Sequence, residues 1–218
     1  MKLKHLEKLL ENLEGFSPPS PLLEQYSTPA PLAARLLFHT AMGGDIVGKR
    51  VCDLGCGTGV LGIGAALLGA RDVVAVEIDR DVVAIARRNA LKAGVEIHFF
   101  QADVKKPEIH AITGLCDTVI MNPPFGAQQL HADRPFLDAA VTIAPVTYGI
   151  FNAGSRSFIG SYLTGRAEID EVICGLLPIR RTFAFHREEV REIPVEILIL
   201  RTKVQPEDQL ANPGERGT

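Results

Sequence analysis

The sequence predicts an α/β fold: a mostly parallel seven-stranded sheet with helices on both faces and one antiparallel strand contributed by a C-terminal hairpin. Three observations predict it. From residue 50 onward, short apolar runs alternate with helical patterns, the rhythm of parallel strands joined by crossover helices. Near the end that rhythm breaks, and two apolar runs follow each other with no clear helix between them. Between the first strand and the first crossover helix stands a glycine-rich loop, at the strand end where open α/β sheets bind ligands.

Each element can be argued in turn. Residues 2 to 14 place Leu3, Leu6, Leu9, Leu10 and Leu13 at helical spacing, which makes an amphipathic lead-in helix. "SPPSPLLEQYSTP" (17 to 29) is an extended, proline-punctuated segment, and a helix then runs from Ala30 to Met42, stopped by Gly43 and Gly44. "RVCDL", "DVVAVEI", "EIHFF", "CDTVIM" and "VTYGIFN" are the five strands of the repeating part. The helices between and after them are "GVLGIGAALLG", "RDVVAIARRNALKAG", "RPFLDAAVTIA" and residues 155 to 164. "DEVICGLLPI" (170 to 179) and "IPVEILILRT" (193 to 202) form the closing hairpin. Residues 203 to 218 are polar and rich in proline and glycine, so a disordered tail is expected from 204 on.

A chain of 218 residues can bury one large two-sided core but would be cramped for two. The expectation is therefore a single domain over residues 1 to 203, with residues 1 to 45 as its helical lead-in. No apolar run approaches the roughly 20 residues of a membrane span, and the N-terminus "MKLKHLEKLLENLEGF" carries charge through its apolar positions, unlike a signal peptide. A cytoplasmic protein with no membrane partner is expected. Cys52, Cys56, Cys116 and Cys174 are scattered through apolar stretches, with no second pair or histidine cluster to complete a tetrahedral site, so no metal is expected. A net charge of -3 speaks against a broad, nonspecific nucleic-acid binder. The stretch "PIRRTFAFHREEVR" (178 to 191) could still lie along a phosphate backbone, although a solvated hairpin of mixed charge accounts for it as well.

The loop "DLGCGTGVLG" holds Asp53, Gly55, Gly57 and Gly59. Its glycines allow a tight turn and a close backbone approach, and the helix that follows offers free N–H groups. A dinucleotide fingerprint needs a sixth-position glycine, but counting from Gly55 that position is Val60. An acid before the loop would repel a pyrophosphate. Asp53 suits instead the ammonium group of an amino-acid-bearing cofactor, which points to S-adenosylmethionine. Glu77, at the end of the second strand, can accept ribose hydroxyl protons, and Asp103, after the third, can receive an adenine amine. Helix capping competes for these acids: Asp79 is assigned to it, while Asp103 could cap a helix over 104 to 108.

"VIMNPPFGA" (119 to 127) ends the fourth strand. The prolines explain a turn, but not the amide before them or the aromatic after them. A planar exocyclic amine is a poor nucleophile, because its lone pair is delocalised into the ring. If the Asn122 side-chain oxygen and the Pro123 carbonyl each accept one of its N–H groups, its lone pair can be aimed at a methyl donor. Proline donates nothing that would compete for those positions. Asn122, Pro123, Pro124 and Phe125 are thus the candidate catalytic segment, with Phe125 stacking on a base that is unpaired or flipped.

"DLGCGTG", "AVEID", "QAD" and "NPPF", in this order and spacing, resemble a Rossmann-like class I S-adenosylmethionine-dependent methyltransferase of the amino-methylating group. With "LEQYSTP", "ADRPFLDAA", "YGIFNAGSRSFI" and "FHREEVREIPVEILIL", the chain resembles the methyltransferase-like protein five family, in its archaeal type, over residues 1 to 203. That resemblance implies methylation of N6 of an adenosine in small-subunit rRNA and a small zinc-binding activator protein of the Trm112 type. It implies too that Gln25, Tyr26 and Thr28 fold over the cofactor, and that Glu77 stands where relatives often have aspartate. Cys56 in the loop, Ile78 and Val104 beside the later acids, and Asn122 itself complete the expected cofactor contacts. Three other readings compete: a protein glutamine N5-methyltransferase, whose amide poses the same problem; a noncatalytic cofactor-binding module; and a dehydrogenase, disfavoured by Val60. The "EQYST" segment and the lack of a large N-terminal helical domain favour the RNA enzyme over the first, and the intact Asn122 to Phe125 segment speaks against the second.

Overall fold

The computed structural model describes residues 1–17, 19–20, 24–25, 27–126, 130–180 and 190–203. Within them seven strands form one sheet in the order β3-β2-β1-β4-β5-β7-β6. The first five, β1 (Arg50–Leu54), β2 (Asp72–Glu77), β3 (His98–Gln101), β4 (Thr118–Met121) and β5 (Val146–Asn152), pair in parallel. β7 (Val190–Thr202) runs antiparallel between β5 and β6 (Ala167–Arg180). The expected fold class holds. The hairpin strands are longer than the apolar pattern predicts, because backbone pairing continues to Arg180 and Val190. The connection, residues 181 to 189, lies outside the described residues together with most of the charged stretch; the tail from 204 on does too.

The pleat divides the side chains between two cores. On one face, Val51, Val73, Ala75, Ile120 and Tyr148 meet α1 (Leu3–Glu11), α2 (Ala30–Met42), α3 (Val60–Leu67) and α4 (Arg80–Ala93). On the other, Cys52, Leu54, Val119, Met121 and Phe151 pack against α5 (Ile109–Thr113), α6 (Arg134–Ile143) and α7 (Arg156–Tyr162). Each buried Leu or Ile contributes about 1.5–3 kcal/mol, so both sides of the sheet are held firmly. α1 buries Leu6 and Leu10 as its spacing demands.

α5 is an element the sequence pattern does not announce. It is only five residues long, anchored by buried Ile109 and by Thr113, whose hydroxyl bonds back to the Ile109 carbonyl. No helix occupies 104 to 108, so Asp103 is not a cap: its Oδ1 accepts the Lys105 N–H at 2.9 Å in a turn. Asp79 does cap α4, accepting the Asp81 and Val82 amides.

Because the parallel strands share a direction, the segments after β1, β2, β3 and β4 emerge along one edge. β1 and β4 are neighbours, with Leu54 paired to Met121. The glycine loop and Asn122 therefore leave the sheet side by side.

Candidate active site

An open cleft of about 1120 Å³, mouth included, lies along that edge. Its floor is the glycine loop, where Gly55, Gly57 and Gly59 have φ of 69°, 53° and 89°. At Gly57 a β-carbon would meet the Phe16 ring at 2.9 Å, and at Gly55 the Phe136 ring at 2.8 Å, so two phenyl rings from segments far apart in the chain press on the loop. Gly55, Cys56 and Gly57 line the cleft. Gly59 instead forms the N-cap of α3, where a β-carbon would crowd Ile63 and Ala86.

Asp53 is buried at the end of β1, and its Oδ2 accepts the Gly62 N–H at 2.7 Å. Its Oδ1 is buried with no hydrogen-bond partner. Burial, with a smaller push from the Glu77 charge, raises the carboxyl to about 7 against the pull of the Gly62 amide. Glu77 is held by its backbone neighbours: Oε2 accepts Gly57 N–H at 2.9 Å, and Oε1 accepts Ile78 and Asp79 N–H at 2.9 and 3.0 Å. Burial pushes it above its ordinary value too, those three bonds pulling the other way. A carboxylate offers about four acceptor positions, so Glu77 keeps roughly one for a ribose hydroxyl unless a backbone bond is shared. Two buried acids, one with an orphaned oxygen, call for a cationic ligand rich in donors, and the expected amino-acid-bearing cofactor fits that demand. Ile78, Asp103 and Val104 lie on the same wall.

The opposite wall is built from the end of β4 and the segment before α2. Asn122 Nδ2 donates to Thr28 Oγ1 at 2.9 Å, while Asn122 Oδ1 is buried with no partner. Asn122, Pro124 and Thr28 line the cleft; Pro123 is buried, and Phe125 is half-buried against the first core. Glu24 Oε2 accepts the Gly126 N–H at 3.1 Å. Gln25 accepts the Ser20 N–H at 2.7 Å and donates to Asp79 Oδ2 at 2.9 Å, which holds the Asp79 carboxyl below its usual range. Glu24, Gln25 and Thr28 thus tie the β4 loop to the start of α4. Tyr26 lies outside the described residues.

The structure brings Gln25, Thr28, Asp53, Gly55, Cys56, Gly57, Glu77, Ile78, Asp103, Val104 and Asn122 to one cleft. The sequence reading missed Phe16, Glu24, Lys105 and Phe136, which line it as well. The glycines were the available signal: a loop stripped of β-carbons implies something bulky against it, though not which residue. Among the described residues, no group of three or more His, Cys, Asp or Glu side chains could hold a metal ion.

Comparisons with known proteins agree with this geometry. Residues 32–144 match the methyltransferase small domain family. The chain is 35% identical to the rRNA N(6)-adenosine-methyltransferase Mettl5 of Drosophila melanogaster, over 90% of this chain and 94% of that protein. It is 36% identical to the rRNA N(6)-adenosine-methyltransferase METTL5 of Danio rerio, over 91% and 98%. The crystal structure of PH1948 from Pyrococcus horikoshii superposes with a TM-score of 0.85 at 38% identity, covering 94% of this chain and 99% of the other. A methyltransferase fold, a cleft with acids at three successive strand ends, and these relatives lead to one conclusion: the chain is an enzyme of the methyltransferase small domain family and belongs to the methyltransferase-like protein five group within it.

Proposed function

We propose that this protein transfers a methyl group from S-adenosylmethionine to the exocyclic N6 amine of an unpaired or flipped adenosine in small-subunit rRNA. The observation that carries the reading is Asn122: its amide nitrogen is committed to Thr28, and its buried oxygen has no partner on the cleft wall. An unmet acceptor in that place suits an N–H donor such as an adenine amine. The relatives named as rRNA N(6)-adenosine methyltransferases support the same substrate.

The cofactor, when bound, supplies an electrophilic sulfonium methyl. Asp53 Oδ1 takes its ammonium group, Glu77 a ribose hydroxyl, and Asp103 its adenine amine. Thr28 fixes the Asn122 amide so that Oδ1 accepts one N–H of the substrate amine, the Pro123 carbonyl accepting the other. Phe125 supports the base once it has left its stack. Preorganised acceptors and positioning provide the rate enhancement, with no strong general base.

We take residues 1 to 203 as one catalytic domain and place the enzyme in the cytoplasm, with a small Trm112-type protein as activator on the strength of the family resemblance. No helix among the described residues is long and apolar enough to cross a membrane. The test is to incubate the enzyme, alone and with the activator protein, and labelled cofactor with unmodified small ribosomal subunits and to locate the label by mass spectrometry. N6-methyladenosine at one site is expected; label in ribosomal protein, or none in RNA, overturns the reading.

A further inference from the structure

Beside the cleft, where α6 meets α7, lies a ladder of rings and guanidinium groups that the chemistry above leaves unused. The His131 and Phe158 rings stack with centroids 6.2 Å apart and planes 19° from parallel. Phe158 stacks in turn on Tyr162 at 5.6 Å and 22°. The Arg134 guanidinium lies over both aromatic rings, 5.0 Å from Phe158 and 5.3 Å from Tyr162.

One end of the ladder is satisfied within the fold. Asp138 accepts the Tyr162 hydroxyl at 2.8 Å and Arg166 at 2.7 Å, so both partners are committed. The other end is left open. His131 and Arg156 are exposed, and Phe158 is 37% exposed. Among the described residues no carboxylate forms an ion pair with Arg134 or Arg156, and the buried Nε of Arg134 has no acceptor. Asp133, beside them in the chain, is half-buried, and the Arg134 and His131 side chains lie near enough to act on its charge without forming an ion pair with it. His131 adopts φ 64°, an uncommon conformation for a residue with a side chain.

Position gives this arrangement a use. Ala132, next to His131, lines the cleft, and so does Phe136, two residues beyond Arg134. α7 follows the end of β5, the neighbour of the strand that delivers Asn122. The open end of the ladder therefore borders the cleft on the acceptor side. The exposed His131 ring, at the end of the stack, offers a face to any base, and an unpaired guanidinium donates to phosphate oxygens. A surface that is narrow, cationic on a chain of net charge -3, and continuous with the cleft matches nucleic acid better than an apolar protein face.

We propose that His131, stacked on Phe158 and flanked by Arg134, seats an unpaired nucleotide adjacent to the target adenosine, its base on the open end of the ring stack and its phosphate against the guanidinium group. The proposal rests on the RNA reading above and extends it to the flanking sequence. Binding of a single-stranded RNA oligonucleotide containing one adenosine, read by fluorescence anisotropy, tests it alongside cofactor affinity by calorimetry. Phe158→Ala should weaken RNA affinity roughly tenfold, leave cofactor affinity unchanged, and be rescued by Phe158→Trp. Shortening the oligonucleotide from one end should erase the difference between Phe158→Ala and wild type. Arg134→Ala should lower the salt dependence of binding by about one phosphate contact. A photoreactive base next to the adenosine should crosslink to His131 or Phe158. Undiminished RNA affinity in Phe158→Ala overturns the proposal. Crosslinking without methyl transfer would sink the functional reading and leave the ladder standing; transfer with a neutral Phe158→Ala would do the reverse.

Discussion

The two walls of the cleft are held in opposite ways. On the cofactor wall the acids are fixed by backbone amides close by in the chain: Gly62 for Asp53, nine residues away, and Gly57, Ile78 and Asp79 for Glu77, at most twenty away. On the acceptor wall the contacts span the chain. Asn122 is oriented by Thr28 across 94 residues, and Gly126 by Glu24 across 102. The first wall is a property of strand, turn and helix, and forms wherever they form. The second exists only when the N-terminal segment docks. Cofactor binding and turnover should therefore be separable by mutation.

The largest expected effect breaks turnover alone. Asn122→Ala should lower kcat by about a hundred- to a thousandfold, the range for one lost preorganised acceptor or donor, with cofactor affinity nearly unchanged by calorimetry. Activity equal to wild type would remove Asn122 from the mechanism.

Next comes the converse. Glu77→Ala strips the acceptor from three backbone amides and, on the function proposed above, from the ribose. The cofactor Kd should rise by roughly ten- to a hundredfold, at about 1.5–3 kcal/mol per charged hydrogen bond, and Tm should fall. An unaltered Kd would overturn the ribose assignment.

Thr28 tests the long-range link itself. Thr28→Val keeps the shape and removes the hydroxyl that holds the Asn122 amide, so kcat should drop by about tenfold, one hydrogen bond's worth. Thr28→Ser should restore it. Equal losses in Val and Ser variants would mean that Thr28 acts through packing.

The gentlest test is a pH slope on the cofactor wall. Asp53 is raised to about 7 in the folded protein, whereas an unfolded aspartate sits near 3.9. The folded state then holds the proton more tightly. The stabilisation is complete below about pH 4 and is lost as pH rises through about 7, by at most about 1.4 kcal/mol per pH unit. Asp53→Asn, compared with wild type by thermal melts of the cofactor-free protein, should flatten that component. Identical slopes would refute the assignment.

Much of this was legible in the residues. β1 and β5 run between the bounds that their apolar runs predict, and α2 spans Ala30–Met42 as its glycine stop requires. Helical and strand periods are local, and glycine and proline punctuate them where they stand. α5 escaped because five residues show no period, and the hairpin strands ran long because pairing needs only a partner backbone. The acids at three strand ends were found because a parallel sheet sends all its carboxyl ends one way.

By itself, then, the sequence determined the order of elements, the sheet edge that carries the cleft, and the acids that line it. Only the tertiary structure decided that Phe16 and Phe136 close on the glycine loop, that Thr28 turns the Asn122 amide, and that Phe125 leans into the core. The physical reason is range. A periodic pattern specifies which face a residue shows. The partner it meets there depends on side-chain geometry between segments a hundred residues apart, and no local pattern carries that.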